Sequence, residues 1–296
     1  MNQKTLIIIP AYNEEEKIAS IILKLKKITD KIIVCNDGSS DMTGQIAESL
    51  GAIVITHPKN MGYGAGIRSI FLKAKEIQAD ILVTFDADGQ HRIEDIQPVI
   101  EPILEDKADI VIGSRFLEKN EQMPEYRRLG IKIITKLTNA SMNDSLTDSQ
   151  SGFRAYNKKV LNDIVPSDFG MGVSTEILIK ASKKEFRIAE VPIIVSYEGK
   201  TSTHHPVSHG VSVILSTIKY TSIEHPLKFY GIPAIVFLAV GLSFVLWTVQ
   251  NYSEQGKIIT NVALIGVGTS VLGVILLIAA ILLYSLINVV RESTTK

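Results

Sequence analysis

The stretch of sequence that decides the fold is DILVTFDADGQH, which runs from Asp80 to His91. Its first half is a short apolar run typical of a buried strand, and its second half is a turn that contains Asp86 and Asp88. Alternating carboxylates at a strand end bring two oxygen ligands to one spot at the edge of a sheet. Such ligands suit a hard divalent cation that bridges a diphosphate. An ordinary solvated turn after a strand is the alternative interpretation.

Further apolar runs on both sides of this stretch alternate with segments of helical period, which predicts a parallel sheet covered by helices. Ligands of such sheets bind beyond the carboxyl ends of the strands. The unusual polar and glycine residues fall there, after each run. The predicted strands are residues 6–9, 31–35, 52–56, 81–85 and 109–112. Beyond Arg115 the pattern predicts an amphipathic cationic segment at 126–137, a strand at 152–156, a helix at 175–184 and a strand pair at 188–195.

The glycine-rich segment NMGYGAG, residues 60–66, opens the third predicted helix. A dinucleotide fingerprint belongs at the first strand-to-helix turn, so this segment is not one. No Gly-x-x-x-x-Gly-Lys-Ser/Thr motif is present, which excludes a P-loop ATPase. Glycines at a helix N-terminus allow backbone N–H groups to approach a phosphate. Glycines that serve only close helix packing are the alternative.

The C-terminal part of the chain has two uncharged apolar stretches, residues 229–253 and 258–290, each long enough to cross a bilayer as a helix. The short link at 254–257 predicts a hairpin with both ends on one side of the membrane. Four flanking basic residues against Lys257 in the link place that side in the cytoplasm. Two buried core helices are the alternative. The predicted domains are a catalytic domain at 1–205, a juxtamembrane interfacial helix at 206–228 and two transmembrane helices at 229–291.

Charge and cysteine content narrow the possible partners. The chain has 31 basic and 31 acidic residues, so its net charge gives no electrostatic case for binding nucleic acid. Its one cysteine, Cys35, excludes an internal disulfide and lies in an apolar run, where a small buried side chain is expected. No cleavable signal precedes the first predicted strand, so we expect the N-terminal domain to stay in the compartment where it is made.

Six motifs, in this order along the chain, carry a family resemblance: IPAYNEE (9–15), NDGSSDMT (36–43), NMGYG (60–64), DADGQH (86–91), GSR (113–115) and DSQSGFRAY (148–156). Together they resemble the signature of family 2 glycosyltransferases of the GT-A fold, and most of all the dolichyl-phosphate and polyprenyl-phosphate hexosyltransferases. The resemblance covers roughly residues 5–200. It implies an α/β, Rossmann-like, mostly parallel sheet with helices on both faces, followed here by the transmembrane hairpin.

The resemblance also implies roles for individual residues. Those expected to bind the donor nucleotide are Pro10, Tyr12, Glu14, Asp37, Gly62 and Asp86. Asp88 and Gln90 resemble the contacts to Mg²⁺ or Mn²⁺. The residues expected in catalysis are Asp86, Asp88, Arg115 and Asp148, with Asp148 and Arg154 facing the transferred sugar.

The expected contacts to the acceptor phosphate are Arg127, Arg128, Lys200 and Ser202. Relatives often have an arginine shortly before a Gly-x-Ser-Lys element, whereas residues 196–205 here read SYEGKTSTHH. This departure leaves the acceptor contact open between Lys200, Ser202 and a histidine. A zinc site is not expected at these histidines, because they have no cysteine partner and no glutamate on a shared helical face.

The implied activity is the inverting transfer of a hexose, mannosyl or glucosyl, from GDP-mannose, UDP-glucose or UDP-N-acetylglucosamine to dolichyl or polyprenyl phosphate in the bilayer. A homo-oligomer is compatible with it. Alternatives are a family 2 enzyme that uses another lipid or glycan acceptor, and a non-catalytic membrane scaffold. A processive polysaccharide synthase is disfavoured, because those enzymes resemble one another in a Gln-x-x-Arg-Trp element and Trp247, the one tryptophan, lies in a predicted span.

Overall fold

The structure is a computed structural model that describes residues 5–118, 123–142, 145–196, 222 and 226–294. The chain divides into two compact units between residues 217 and 218. The predicted interfacial helix at 206–228 lies almost wholly outside the described residues, and the predicted domain boundary at 205 stays a prediction.

Within the described residues, the N-terminal unit has a seven-stranded mixed sheet in the order β3-β2-β1-β4-β6-β5-β7. The strands are β1 (Thr5–Ala11), β2 (Ile32–Asn36), β3 (Ile53–Thr56), β4 (Ile81–Thr84), β5 (Ile110–Ser114), β6 (Arg154–Asn157) and β7 (Ile188–Pro192). Strands β3, β2, β1 and β4 are parallel neighbours, β7 is parallel to β5, and β6 runs antiparallel between β4 and β5. The predicted α/β, mostly parallel sheet is confirmed. The strand pair predicted at 188–195 is one strand followed by an isolated bridge between His91 and Val195.

Helices cover both faces of this sheet because the strands are apolar on both sides. The helices are α1 (Glu15–Leu25), α2 (Thr43–Ser49), α3 (Tyr63–Glu76), α4 (Ile96–Leu104), α5 (Glu125–Asn139), α6 (Lys158–Asp163) and α7 (Val173–Lys183). Ile7 and Ile9 of β1 pack into one core with α1, α2 and α4, whereas Leu6 and Ile8 pack into a second core with α3, α6 and α7.

The antiparallel strand β6 decides which loops meet at the carboxyl ends of the other strands, an edge called the rim below. Arg154, the first residue of β6, pairs with Thr84 at the end of β4 and with Ile112 near the end of β5. The loop before β6 therefore reaches the same rim as the loops after β4 and β5.

The C-terminal unit is a helical hairpin. Helix α8 (Ile232–Gln255) follows a π-helical turn, ends at Gly256 in the left-handed conformation, and is followed by α9 (Thr260–Thr294). The apolar segments Leu227–Gln255 and Thr260–Ile287 are long and apolar enough to cross a membrane. In the most apolar 18-residue stretch of each segment, only 11% is buried. This exposure favours two membrane-spanning helices over two buried core helices. A Cβ at Gly273 would lie 2.8 Å from Leu238, so small residues let the helices pack closely.

Candidate active site

Three carboxylates, Glu14 after β1 and Asp86 and Asp88 after β4, form a group called the acidic rim below. Burial raises the pKa of Asp88, and the charge of Asp86 raises it further. The N–H of Gln90, which donates to Asp88 Oδ1 at 2.9 Å, acts in the opposite direction. Burial also raises the pKa of Glu14, with added repulsion from Asp88 and Asp86, although Lys17 lies 3.9 Å away. The strands β1 and β4 are neighbours, so the fold itself brings these like charges together.

Asp86 is oriented from two sides. The Nε2 atom of His91 lies 3.1 Å from one of its carboxylate oxygens, and the phenol of Tyr63 lies nearby. Burial, then the charge of Asp86, raise the pKa of Tyr63 well above its ordinary value, so this phenol keeps its proton. A Cβ at Gly152 would lie 2.9 Å from both Asp86 and Tyr63, so only glycine leaves this space open.

The loop after β1 is joined to the loop after β2 by side-chain hydrogen bonds. Asn13 has a φ of 53°, its N–H donates to Ser39 Oγ at 3.0 Å, and its Oδ1 accepts from Ser40 N at 2.9 Å. The N–H of Glu14 donates to Thr43 Oγ1 at 2.8 Å. These bonds fix the direction of the chain from Pro10 through Glu14, where the nucleotide is expected.

Asp37, also buried at the rim, holds the glycine-rich segment. Its two carboxylate oxygens accept from the backbone N–H groups of Met61 and Gly62, both at 2.9 Å. The Nδ1 atom of His57 lies 2.6 Å from Asp37 Oδ1, and His57 Nε2 lies 2.8 Å from Ser69 Oγ. Asp37 thus couples β2 to the start of α3, and His57 fixes the orientation of its carboxylate.

The glycines at the start of α3 pack against the loop before α7. The N–H of Gly64 donates to the carbonyl of Phe169 at 3.0 Å, and a Cβ at Gly64 would collide with the carbonyl oxygen of Asp168. Gly62 has a φ of 99°, and a Cβ there would collide with Phe169. Because the N–H groups of Gly62 and Gly64 are used within the protein, the structure favours the packing alternative for them. A nucleotide contact at Gly62 stays a prediction.

The loop before α7 is in turn held by Glu176, a carboxylate that is only 1% exposed. It accepts from the N–H and hydroxyl of Ser167 and from the N–H of Asp168 at 2.8 Å, and it pairs with Lys180. Burial alone would raise the pKa of Glu176, but Lys180 and Ser167 lower it below its ordinary value. Glu176 therefore stays ionised and supports the glycine segment from behind.

Arg115, at the end of β5, is bound bidentately by Asp148. Its Nε and Nη2 atoms lie 2.6 and 2.8 Å from the two oxygens of that carboxylate, which is fully buried. Burial opposes ionisation, yet the charge and hydrogen bonds of Arg115 hold the pKa of Asp148 below its ordinary value. Glu190 accepts from the N–H groups of Thr147 and Asp148. The carboxylate of Asp148 thus orients Arg115 at the rim.

Arg154 is 1% exposed, and its guanidinium donates to the carbonyls of Ser149, Ser151 and Ser174 at 2.7 to 2.9 Å. The contact with the transferred sugar that is predicted for Asp148 and Arg154 stays a prediction, and both side chains are buried and hydrogen-bonded within the protein. A buried guanidinium that donates to three carbonyls shapes the loop before β6, and so acts on the site indirectly.

Of the remaining predicted residues that the structure describes, Gln90 is bonded to the acidic rim through its N–H, which donates to Asp88. Gln90 is buried, and its carbonyl accepts from Ser196 N at 3.0 Å. Arg127 and Arg128 lie partly buried in the first turn of α5. Lys200 and Ser202 lie outside the described residues. Among the residues that the structure describes, no three His, Cys, Asp or Glu side chains form a complete metal site.

Comparison with known proteins decides the family. A sequence model described as glycosyl transferase family 2 matches residues 6–165. The chain belongs to glycosyl transferase family 2. It is similar to the UDP-N-acetylglucosamine–dolichyl-phosphate N-acetylglucosaminyltransferase of Methanococcus voltae, with 36% identity over 71% of this chain and 90% of that protein. It is also similar to the dolichyl-phosphate hexose transferase of Haloferax volcanii, with 31% identity over 72% of this chain and 92% of that one.

The fold of this glycosyltransferase is shared with a solved structure. Glucosyl-3-phosphoglycerate synthase from Mycobacterium tuberculosis, in complex with Mn²⁺, UDP-glucose and phosphoglyceric acid, superposes with a TM-score of 0.59. The match has 19% identity and covers 75% of this chain and 80% of the synthase. At this identity the likeness establishes the fold, which agrees with the predicted GT-A class.

Three residues that organise the site are missed by the sequence analysis: His57, Glu176 and Glu190. His57 directly follows β3, so its place at the rim is a signal that the strand pattern contains. Glu176 lies directly before the apolar residues Ile177, Leu178 and Ile179 of α7, and Lys180 follows it at i+4, which is a pattern compatible with a buried acid that has a partner. Glu190 lies in the partly exposed strand β7, and nothing in its surroundings in the sequence distinguishes it from a solvated residue.

Proposed function

We propose that this family 2 glycosyltransferase is anchored in a membrane and moves a hexose from a nucleotide sugar to dolichyl or polyprenyl phosphate, with inversion at the anomeric carbon. The observation that carries the proposal is the acidic rim, where burial, with added repulsion between the carboxylates, raises the pKa of Glu14 and Asp88. Relatives named for transfer to dolichyl phosphate support the acceptor. Two helices long enough to span a bilayer support the anchoring.

The acidic rim fits a divalent cation. Asp88 supplies a hard carboxylate oxygen, Gln90 can supply an amide oxygen, and the repulsion between Asp86 and Asp88 is relieved by positive charge. Asp88 and Gln90 would hold Mg²⁺ or Mn²⁺, which when bound neutralises charge on the diphosphate.

The remaining residues of the rim position the donor. In this proposal Pro10, Tyr12, Glu14 and Asp37 lie beside the nucleotide, because the loops that carry them are joined by the Asn13 and Thr43 bonds. The fixed geometry of those loops reduces the ordering that substrate binding requires.

The reaction needs one substitution at the anomeric carbon. An oxygen of the lipid phosphate forms a bond to the anomeric carbon while the bond between that carbon and the donor diphosphate breaks. The nucleoside diphosphate leaves with the electron pair of the broken bond. Because a phosphate monoester is already ionised near neutral pH, the protein needs no general base. Arg115, held in direction by Asp148, would offset negative charge at the reacting phosphates. Arg127 and Arg128 are the proposed contacts to the acceptor phosphate.

The orientation of the membrane hairpin is part of the proposal. Lys228 precedes the first apolar segment and Arg291 follows the second, whereas Lys257 lies between them. This distribution favours a cytoplasmic N-terminal unit, where nucleotide sugars are made and the lipid phosphate faces the site.

A transfer assay tests the function. Membranes that contain the protein are incubated with polyprenyl phosphate and radiolabelled GDP-mannose, UDP-glucose or UDP-N-acetylglucosamine, and the label is followed into the lipid fraction. The expected result is label in lipid from one donor, and none with the Asp88→Asn variant. Label that moves only to a water-soluble acceptor, such as phosphoglyceric acid, would overturn the lipid acceptor and keep the enzyme class.

A further inference from the structure

The segment 146–150, called the clamped segment below, lies between α5 and β6. Its five consecutive backbone N–H groups all bind oxygens of side chains. The donors are Leu146, Thr147, Asp148, Ser149 and Gln150. A segment outside helices and strands thus takes its shape from the side chains that bind its N–H groups. Asp148, which orients Arg115, lies at its centre.

Helix α5 holds two points near the ends of the clamped segment. The side chain of Asn139 accepts from the N–H of Leu146 at 3.1 Å and donates to the carbonyl of the same residue at 2.9 Å. Thr135 Oγ1 accepts from the N–H of Ser149 at 3.1 Å. These bonds attach the segment to one helix on both sides of Asp148.

Glu190 of β7 holds the middle of the clamped segment. One of its carboxylate oxygens accepts from the N–H of Thr147 at 2.7 Å. The other accepts from the N–H of Asp148 at 2.8 Å and from Thr147 Oγ1 at 3.0 Å. Thr147 Oγ1 also lies 2.6 Å from the hydroxyl of Ser114 in β5. Because hydrogen bonds to a charged group are stronger than neutral ones, Glu190 is a strong attachment of the segment to the sheet.

We propose that Glu190 is a positioning residue for Arg115 in the transfer reaction. Asp148 accepts from the guanidinium of Arg115 and also from its backbone N–H at 3.2 Å, so the direction of Arg115 follows the place of Asp148. Glu190 fixes the backbone of Asp148 and acts on Arg115 through it. The inference rests on the proposed function, in which Arg115 offsets negative charge at the reacting phosphates.

The place of Glu190 in the fold predicts which kinetic constant depends on it. The acidic rim consists of residues after β1 and β4, whereas Glu190 acts on the loop before β6 and on the end of β5. Loss of its bonds should therefore slow the reaction while donor binding is retained. Glu190→Gln is the sharpest variant, because it keeps the size of the side chain but replaces one oxygen with an NH₂ group, which cannot accept from an N–H.

The first measurement is hydrogen exchange of the full-length protein in detergent, read by mass spectrometry on peptides that cover the clamped segment. Glu190→Gln should exchange faster than the native protein there, and at the native rate in peptides from β1 and β4. The matched control is Glu185→Gln, which removes the charge of an exposed acid shortly before β7 and should keep the native rate throughout. A native exchange rate of the clamped segment in Glu190→Gln would overturn the proposal.

The second measurement is steady-state transfer, with the nucleotide sugar and polyprenyl phosphate varied separately. Glu190→Gln should lower kcat about tenfold or more, because a displacement of about 1 Å near the reacting atoms costs up to about 100-fold. The donor KM should change by less than about twofold. Arg115→Lys keeps a positive charge but lacks the bidentate geometry, so in that background the loss caused by Glu190→Gln should be at least about three times smaller.

Equal losses of kcat in the two backgrounds would overturn the proposal, because Glu190 would then act independently of Arg115. A native kcat with faster exchange would also overturn it and leave Glu190 a purely structural role. A raised donor KM with a native kcat would show that Glu190 acts on donor binding instead. The activity of the native protein reports on the proposed function, whereas the ratio of variant to native reports on Glu190. If the native protein uses another acceptor, the same ratio is measured with that acceptor.

Discussion

The buried acids of the acidic rim and those behind it differ in the charges around them. At the rim, burial and mutual repulsion raise the pKa of Glu14 and Asp88. Behind the rim, burial acts in the same direction on Asp148 and Glu176, but Arg115 and Lys180 with several hydrogen bonds lower the pKa of each. Buried carboxylates thus have a raised pKa at the rim and a lowered pKa a few loops away, because only the second group has a strong cationic partner for each acid.

This difference separates the acids that we propose as donor and metal contacts from the acids that support the structure. A cluster of repelling carboxylates costs stability, and such clusters persist where function requires them. A compensated buried acid supports the loops whose N–H groups it binds. Each of the following predictions changes one side of this comparison and measures both stability and activity.

The largest expected effect is the loss of stability in Asp148→Ala. The substitution leaves the guanidinium of Arg115, which is only 10% exposed, without its carboxylate partner. Breaking a buried ion pair on one side costs about 3–5 kcal/mol. Thermal unfolding in detergent should show a clearly lower Tm. The control is Asp163→Ala, an exposed acid of α6, which should change stability by less than about 0.5 kcal/mol. A Tm equal to that of the native chain would show that the pair contributes nothing.

Asp88→Asn should give the opposite pattern. Removing a charge that Asp86 repels should leave the Tm unchanged or raise it. Transfer should fall by about 100-fold or more, the size of effect seen when one group that stabilises developing charge is lost. Chelation of divalent ions by EDTA in the native protein should match the loss in activity. If stability and activity fall together, Asp88 belongs with the structural acids.

Much of the first half of the sheet could be predicted from the sequence, because each parallel strand is a local apolar run and each rim loop follows directly from it. The predicted run at 81–85 corresponds to β4 (Ile81–Thr84), and the run at 31–35 to β2 (Ile32–Asn36). The position of β6 could not be read in this way. Its antiparallel pairing depends on contacts between residues far apart in the chain: some 70 positions for the pairs with β4, such as Thr84 and Arg154, and 42 for Ile112 of β5 and Arg154.

The residues of the candidate site also divide into those that could be predicted from their place after a strand and those that could not. The motif residues Glu14, Asp37, Asp86 and Asp88 all lie at the rim, as expected from their places after strands. Arg154 lies in a motif, yet its guanidinium binds backbone carbonyls. A motif alone does not reveal whether a side chain points to the ligand or to the loop beneath it. The partners of Asp37 come from other elements and could not be predicted from local sequence, whereas Lys180, the ion-pair partner of Glu176, lies one turn later on the same helix.

The stability of the N-terminal unit should decline at low pH through the compensated acids. Their folded-state pKa values lie below those of the unfolded chain, about 3.9 for Asp and about 4.3 for Glu. Their stabilisation is therefore present above about pH 5 and is lost as the pH falls through the lowered folded-state values. Glu176→Gln should be less stable at pH 7 and should show a shallower decline of Tm between pH 5 and pH 3. An unchanged decline would mean that Glu176 is not linked to folding.

Gly64→Ala should lower the Tm and weaken donor binding moderately, and Gly130→Ala should do neither. A Cβ at position 64 collides with Asp168, whereas position 130 in α5 has nothing within 4 Å of a Cβ. We expect Gly64→Ala to displace the loop that Glu176 holds, to lower the Tm and to raise the donor KM. Gly130→Ala should be neutral or stabilising by up to about 1 kcal/mol, since alanine favours a helix over glycine. Equal effects of the two substitutions would remove the packing role assigned to Gly64.

The smallest expected effect is that of His57→Ala, which tests whether orientation of a rim acid affects donor binding. Asp37 keeps its bonds to Met61 and Gly62 in this variant but loses the ring at 2.6 Å. One such hydrogen bond to a charged group contributes about 1.5 kcal/mol, so the donor KM should rise about tenfold with little change in kcat or in the lipid KM. His57→Asn, whose amide can donate to Asp37, should recover part of the affinity. If His57→Ala lowers only the Tm and leaves the donor KM unchanged, then His57 stabilises the fold alone, and Asp37 belongs with the compensated acids behind the rim.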